Sequence, residues 1–214
     1  MKKLLVIILL VLGFSLYAGG TTEELNSFGV QYSNSVESQS VSGVNFTTTL
    51  NSLGGFFRNS TFYNGNENQG IFIIDSFLIP LGGTIASSGI TANYSLSGSD
   101  LQFHLGMLLG PVYRTKFNDE TSLLVGFGPS FQELAVANSS SASISFLLGA
   151  GADLCLQNKI SDYSFLNVGV TLAYDIVAYS KTNNYEGWTT GDYSNISIRP
   201  YLGIGFSRTR GTKL

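Results

Sequence analysis

"ISIRPYLGIGF", residues Ile196 to Phe206, sets Ile196, Ile198, Pro200, Leu202, Ile204 and Phe206 on the even positions and Ser197, Arg199, Tyr201, Gly203 and Gly205 on the odd ones. Side chains of a strand point alternately to its two faces, so this stretch reads as a β-strand with one wholly apolar side. The apolar side meets either a protein core or lipid. The composition of the other side separates these cases.

The same pattern recurs along the chain. In "SISFLLGAGADLCLQ" the residues Ile144, Phe146, Leu148, Ala150, Ala152, Leu154 and Leu156 alternate with small or polar ones, and Leu166 to Ile176 repeats it across a short polar connection, "NKISDYS". Upstream, Leu101 to Leu109 and Leu123 to Phe131 behave alike, with Pro111 and Pro129 marking strand ends or bulges. Each run is about 10 residues, the length a tilted strand needs to cross a bilayer. The first half is less regular: "FGVQYSN", "GVNFTTTLNSLGGFF" and "GIFIIDSFLIP" read as three more strands, with Phe28, Val30 and Tyr32 on one face of the first and Val44, Phe46 and Leu50 on one face of the second. The total is eight, an even number that returns both chain ends to one side; "LGGTIASSGITANYSLSGSD" holds enough strand-like sequence to make ten. Short connections at "KFNDET" and "NKISDYS" alternate with longer ones at "QELAVANSSSAS" and "SKTNNYEGWTTGDYSN", the arrangement of inner turns and outer loops in outer-membrane barrels. "NSTFYNGNENQ" is long for an inner turn.

The N-terminus supplies the compartment. Lys2 and Lys3 precede an apolar run from Leu4 to Leu12 and small residues at Ala18, Gly19 and Gly20, which is the order of a secretory signal peptide. Residues 1–20 are therefore expected to be removed, leaving a barrel over 21–214 with a formal charge of −5 once the two lysines are subtracted from the whole-chain −3. That charge disfavours nucleic acid as a partner. Cys155 is the only cysteine, so an intramolecular disulfide and a cysteine zinc cage are both excluded.

Charged residues make up only 12% of the chain, against about 25% in soluble proteins. A solvent-washed sheet face would carry Lys and Glu, yet the positions opposite the apolar ones are Gly, Ser, Thr, Asn and Gln, with Asp153, Asp175 and Arg199 among the few charges. Small uncharged residues suit the crowded lumen of an eight-stranded barrel. The apolar face then points at lipid, with Tyr163, Phe165, Tyr179 and Phe206 at the levels where interfacial aromatics sit. The signal, the alternating strands and the closing "YLGIGF" together resemble the small outer-membrane barrels of the OmpX and OmpW type, including those of spirochaetes. That resemblance implies lipid as solvent and insertion by the outer-membrane assembly machinery, which reads the last strand. Members of that group end on a terminal aromatic, whereas "SRTRGTKL" follows Phe206 here.

His104 is the only histidine, and its parity places it in the lumen as a structural residue. The barrel acyl-hydrolases carry a Ser two residues beyond their His; Gly106 stands there in this chain. Asp75 and Ser76, being adjacent on a strand, face opposite ways and share no site. No enzyme activity and no cofactor or metal is expected. His104, Asp153, Asp175 and Arg199 are expected to form a polar network in the lumen, with Asp175 and Arg199 paired across neighbouring strands because a charge in that setting is costly unless paired. Tyr185, Glu186, Trp188, Asp192 and Tyr193, in the longest connection, are the candidates for binding an extracellular ligand. The sequence thus points to an outer-membrane barrel with a structural or surface-interaction role, or a narrow channel for small or hydrophobic solutes. A soluble exported barrel that binds an apolar ligand is the alternative.

Overall fold

A computed structural model describes residues 22–41, 43–63, 66–95, 101–137, 142–182 and 185–210. The signal peptide expected over 1–20 lies outside them. The described strands are β1 (Thr22–Val41), β2 (Val44–Tyr63), β3 (Asn66–Ser87), β4 (Ile90–Ser95), β5 (Leu101–Lys116), β6 (Thr121–Ala137), β7 (Ala142–Lys159), β8 (Ser164–Thr182) and β9 (Tyr185–Arg210). All pairings are antiparallel, and β2–β3 pairing closes β1, β2, β3, β5, β6, β7, β8 and β9 into an eight-stranded barrel. β4 hangs outside that closure as a hairpin on β3, turning through Ser88 and Gly89, both at positive φ as a type I′ turn requires. Among the described residues, the region expected to be able to supply two extra strands supplies one, and it is not a barrel stave.

The register fixes the barrel's geometry. Following hydrogen-bonded partners from Ser27 through Arg58, Ile74, Leu108, Ser130, Gly149, Asp175 and Asn195 returns to Glu37, ten residues further along β1. With a rise of ~3.3 Å per residue and strands ~4.8 Å apart, that stagger tilts the strands by about 40° and lifts the register by about 3 Å per strand. One end, called lower here, holds Thr22, Arg210 and the short turns at 117–120 and 160–163, where the side chains of Asn118 and Ser161 accept backbone N–H bonds.

The apolar alternation behaves as read on β5 to β9. Ile196, Ile198, Leu202, Ile204 and Phe206 face out and are exposed, while Ser197, Arg199 and Tyr201 are buried inside. Outward apolar residues on the other staves join them in a continuous belt. Three readings are corrected. Leu50 is buried on the lumenal side of β2, because the even positions there, Ser52, Phe56 and Arg58 among them, point inward. Phe165 points inward too and is buried over Gly205, so it is no interfacial anchor. The long connections are mostly strand: only 64–65 separate β2 from β3 and only 183–184 separate β8 from β9, and the eight barrel strands run 16 to 26 residues, well beyond the ~10 that span a bilayer. The tail after Phe206 continues the ladder to Arg210, opposite Thr22 to Leu25 on β1.

Candidate functional site

Large side chains from some staves fill the hollows left by glycines on others. Phe72 on β3 lies over Gly126 on β6, Phe56 on β2 over Gly203 on β9, and Tyr201 on β9 over Gly169 on β8. From its lower end to mid-height the lumen therefore holds an apolar core of Leu25, Phe56, Phe62, Phe72, Ile74, Leu108, Val112, Leu124 and Phe165, with Cys155 buried among them. A lumen lined throughout by small polar residues, as the later strands suggested, is not what forms. Bulky inward residues of β2, β3 and β5 compensate for the glycines of β6, β8 and β9. Arg114 closes this core below, with its guanidinium over the Phe62 ring at 4.2 Å, on Glu23 at 2.8 Å and on the Glu67 carbonyl at 2.7 Å.

At mid-height a charged layer crosses the lumen. Arg58 and Asp153 are fully buried and 3.0 Å apart, a close ion pair. Asp153 also accepts from Tyr201 Oη at 2.9 Å and Thr171 Oγ1 at 3.2 Å. Tyr201 packs at a tilt against Phe56 with ring centroids 4.6 Å apart, and Arg58 lies 5.7 Å from the Phe72 centroid. Arg58 had no signal in the sequence beyond its parity, since "GGFFR" hides the alternation that would assign it to the lumen.

Above this layer the lumen is polar. Asp175 Oδ2 accepts from Asn195 Nδ2 at 2.8 Å and from Gln132 Nε2. Because Gln132 gives its amide nitrogen to the carboxylate, its oxygen faces His104 Nε2 at 2.9 Å, and the Nε2–H tautomer of His104 can accept from Ser52 Oγ at 3.3 Å. His104, Asp153, Asp175 and Arg199 all sit in the lumen, but as two groups rather than one. The ion pair expected between Asp175 and Arg199 is not formed. Asp175 stands opposite Asn195 and Arg199 opposite Thr171, four residues lower on the ladder, with the Arg199 guanidinium over Gly106. The backbone of Tyr185, Glu186, Trp188 and Asp192 belongs to β9, and the first three pair with or lie beside β8 residues 179–182. They belong to a strand extension above the belt, not to a loop. Tyr193, grouped with them, is buried, and burial followed by the nearby charges of Glu37 and Asp175 pushes its hydroxyl well above the usual range. Burial likewise raises the Glu37 carboxyl.

The outer wall carries one cavity of note, a groove of about 600 Å³ lined in part by Phe57, Asp75, Phe77, Met107, Phe131 and Phe146. Correcting for the ~3 Å rise per strand, Asp75 falls level with the middle of the belt, between Leu202 and Pro200 on β9. Asp75 faces out and Ser76 in, as their adjacency requires. Among the described residues no group of acidic, histidine or cysteine side chains could hold a metal.

A closed eight-stranded antiparallel barrel with an outward apolar belt and a packed interior is the architecture of the small outer-membrane barrels, and solved structures bear this out. OprG from Pseudomonas aeruginosa superposes with a TM-score of 0.57 at 13% identity, covering 89% of this chain and 97% of that one. Neisserial surface protein A gives 0.52 at 12% identity over 86% and 96%. At such identities the likeness is one of fold alone. No protein-family model and no curated protein matches the chain by sequence.

Proposed function

We propose that this chain is an outer-membrane barrel with a sealed lumen, acting as a membrane-anchored scaffold and interaction surface rather than as a channel or an enzyme. The observation that carries this reading is the Arg58–Asp153–Tyr201 layer resting on the apolar lower core, which fills the bore with side chains held from several staves. Eight strands leave an interior that side chains can fill. The belt of exposed Phe, Leu, Ile and Val around the barrel supports lipid as its outer solvent and counts against a soluble exported barrel, which would expose that area to water. Interaction with an extracellular partner is then assigned to the strands that continue above the belt, β8 and β9 with Tyr185, Glu186, Trp188 and Asp192 foremost. Insertion would use the outer-membrane assembly machinery, with β9 as the strand it reads.

Two measurements test this. The folded protein should partition with outer membranes and shift its gel mobility on boiling; a soluble, boiling-insensitive protein would overturn the membrane reading. In planar bilayers the purified barrel should give no unitary current steps, and reproducible steps would overturn the sealed lumen. One residue sits uneasily in this picture. An ionised carboxylate at the bilayer centre costs roughly 2.5–3.5 kcal/mol on insertion scales, and a belt in lipid would set Asp75 at that level.

A further inference from the structure

Asp75 makes no hydrogen bond or ion pair among the described residues, and its side chain is exposed on the outer face of β3. It does not project from a smooth wall. Its register neighbours are Phe57 on β2 and Met107 on β5, Phe77 lies above it on its own strand, and Gly55 leaves the wall concave beside Phe77. Phe131 and Phe146 form the far side of the resulting groove. Its volume, about 600 Å³, falls in the range of small-molecule sites.

We propose that this groove binds an ammonium amphiphile dissolved in the bilayer, with its protonated nitrogen on Asp75 and its alkyl or aryl body along the phenylalanines. Three observations converge on that ligand chemistry. A carboxylate in an apolar setting requires a cationic or donor partner. Aromatic faces attract cations, and four phenylalanines line the groove beside Asp75, with a second acid, Glu133, also in its wall. A second copy of the chain brings no partner: among the described residues no Lys or Arg faces outward at mid-belt, and a two-fold contact through this wall would set Asp75 against Asp75. The proposal rests on the belt facing lipid, a reading that heat-modifiable mobility and membrane partition test separately.

Met107 lines the groove and is, apart from Met1, the only methionine, so its methyl group is a single reporter of occupancy. The experiment uses the processed protein, labelled with ¹³C-methyl methionine and refolded in phosphatidylcholine nanodiscs, titrated with dodecylammonium and, separately, with dodecanol. Dodecylammonium should shift the Met107 signal saturably, with dodecanol at least tenfold weaker. Asp75→Asn should lose that preference and Asp75→Glu keep it. Equal response to amine and alcohol in the unaltered protein would overturn the proposal, whether or not Asp75→Asn folds. So would undiminished amine binding by Asp75→Asn, or a Met107 shift that follows the protein-to-lipid ratio with no amphiphile added, which would indicate a second copy in the groove.

Discussion

Replacing one member of the Arg58–Asp153 pair leaves the other as an unpaired charge buried in the lumen. Both residues are fully buried, and Asp153 keeps two hydroxyl donors, Tyr201 and Thr171, when Arg58 is lost. Removing one partner of such a pair costs about 3–5 kcal/mol, and Arg58→Met also gives up the cation–π contact with Phe72, worth about 0.5–2 kcal/mol. Asp153→Asn should be comparably harmful, because it keeps the acceptor for Tyr201 but leaves the guanidinium alone. The double variant Arg58→Met/Asp153→Asn removes both charges and preserves the hydroxyl contacts. It should therefore be at least about 2 kcal/mol more stable than the sum of the two single losses predicts. Reversible urea unfolding of barrels refolded in lipid vesicles, followed by the change in gel mobility, measures all three. Additive losses, or single variants within about 1 kcal/mol of the unaltered protein, would refute the claim that this pair seals the lumen as a coupled unit.

Other sites test the remaining structural claims. Leu202 and Ile196 share the outer face of β9 and are similarly exposed, but Leu202 lies near mid-belt and Ile196 at its upper edge. In vesicles Leu202→Arg should cost about 2–4 kcal/mol and Ile196→Arg about 0–1; equal costs would place that face in water. Gly106→Ala puts a methyl group into the Arg199 guanidinium and should cost about 1–3 kcal/mol. The loss should shrink in an Arg199→Gln background, and an unchanged loss would show that the glycine matters for another reason. Glu37 is held by burial above its ordinary carboxyl range, so the folded state favours its protonated form and stability falls as pH rises through that value. Glu37→Gln should therefore gain on the unaltered protein between pH 4 and pH 8 in urea midpoint, and a pH-independent difference would contradict the burial.

The strands from β5 onward were legible because one face is uniformly apolar and the other small or polar, so parity alone assigns each side chain to belt or lumen. "GIFIIDSFLIP" resisted the same reading for a physical reason. Ile71, Ile73, Phe77 and Ile79 join the belt while Phe72, Ile74 and Leu78 point into the lumen, and a strand apolar on both faces shows no alternation. Above and below the belt the difficulty reverses. There "SKTNNYEGWTTGDY" shows no apolar alternation and has the composition of a loop, although 177–182 pair with 185–190. The partners inside the lumen were beyond parity altogether. Opposing Asp175 to Arg199 requires knowing the stagger between β8 and β9, and the register jump after Asp175 is invisible in the residues. Arg58 reaches Asp153 across the bore from β2 to β7, strands that share no hydrogen bond. Parity tells which residues share the lumen, but only closure at a stagger of ten residues decides which of them meet. Asp75 is the converse case. The sequence showed only that it and Ser76 face opposite ways, and its importance emerged when the structure turned it outward and the tilt carried it to the middle of the belt.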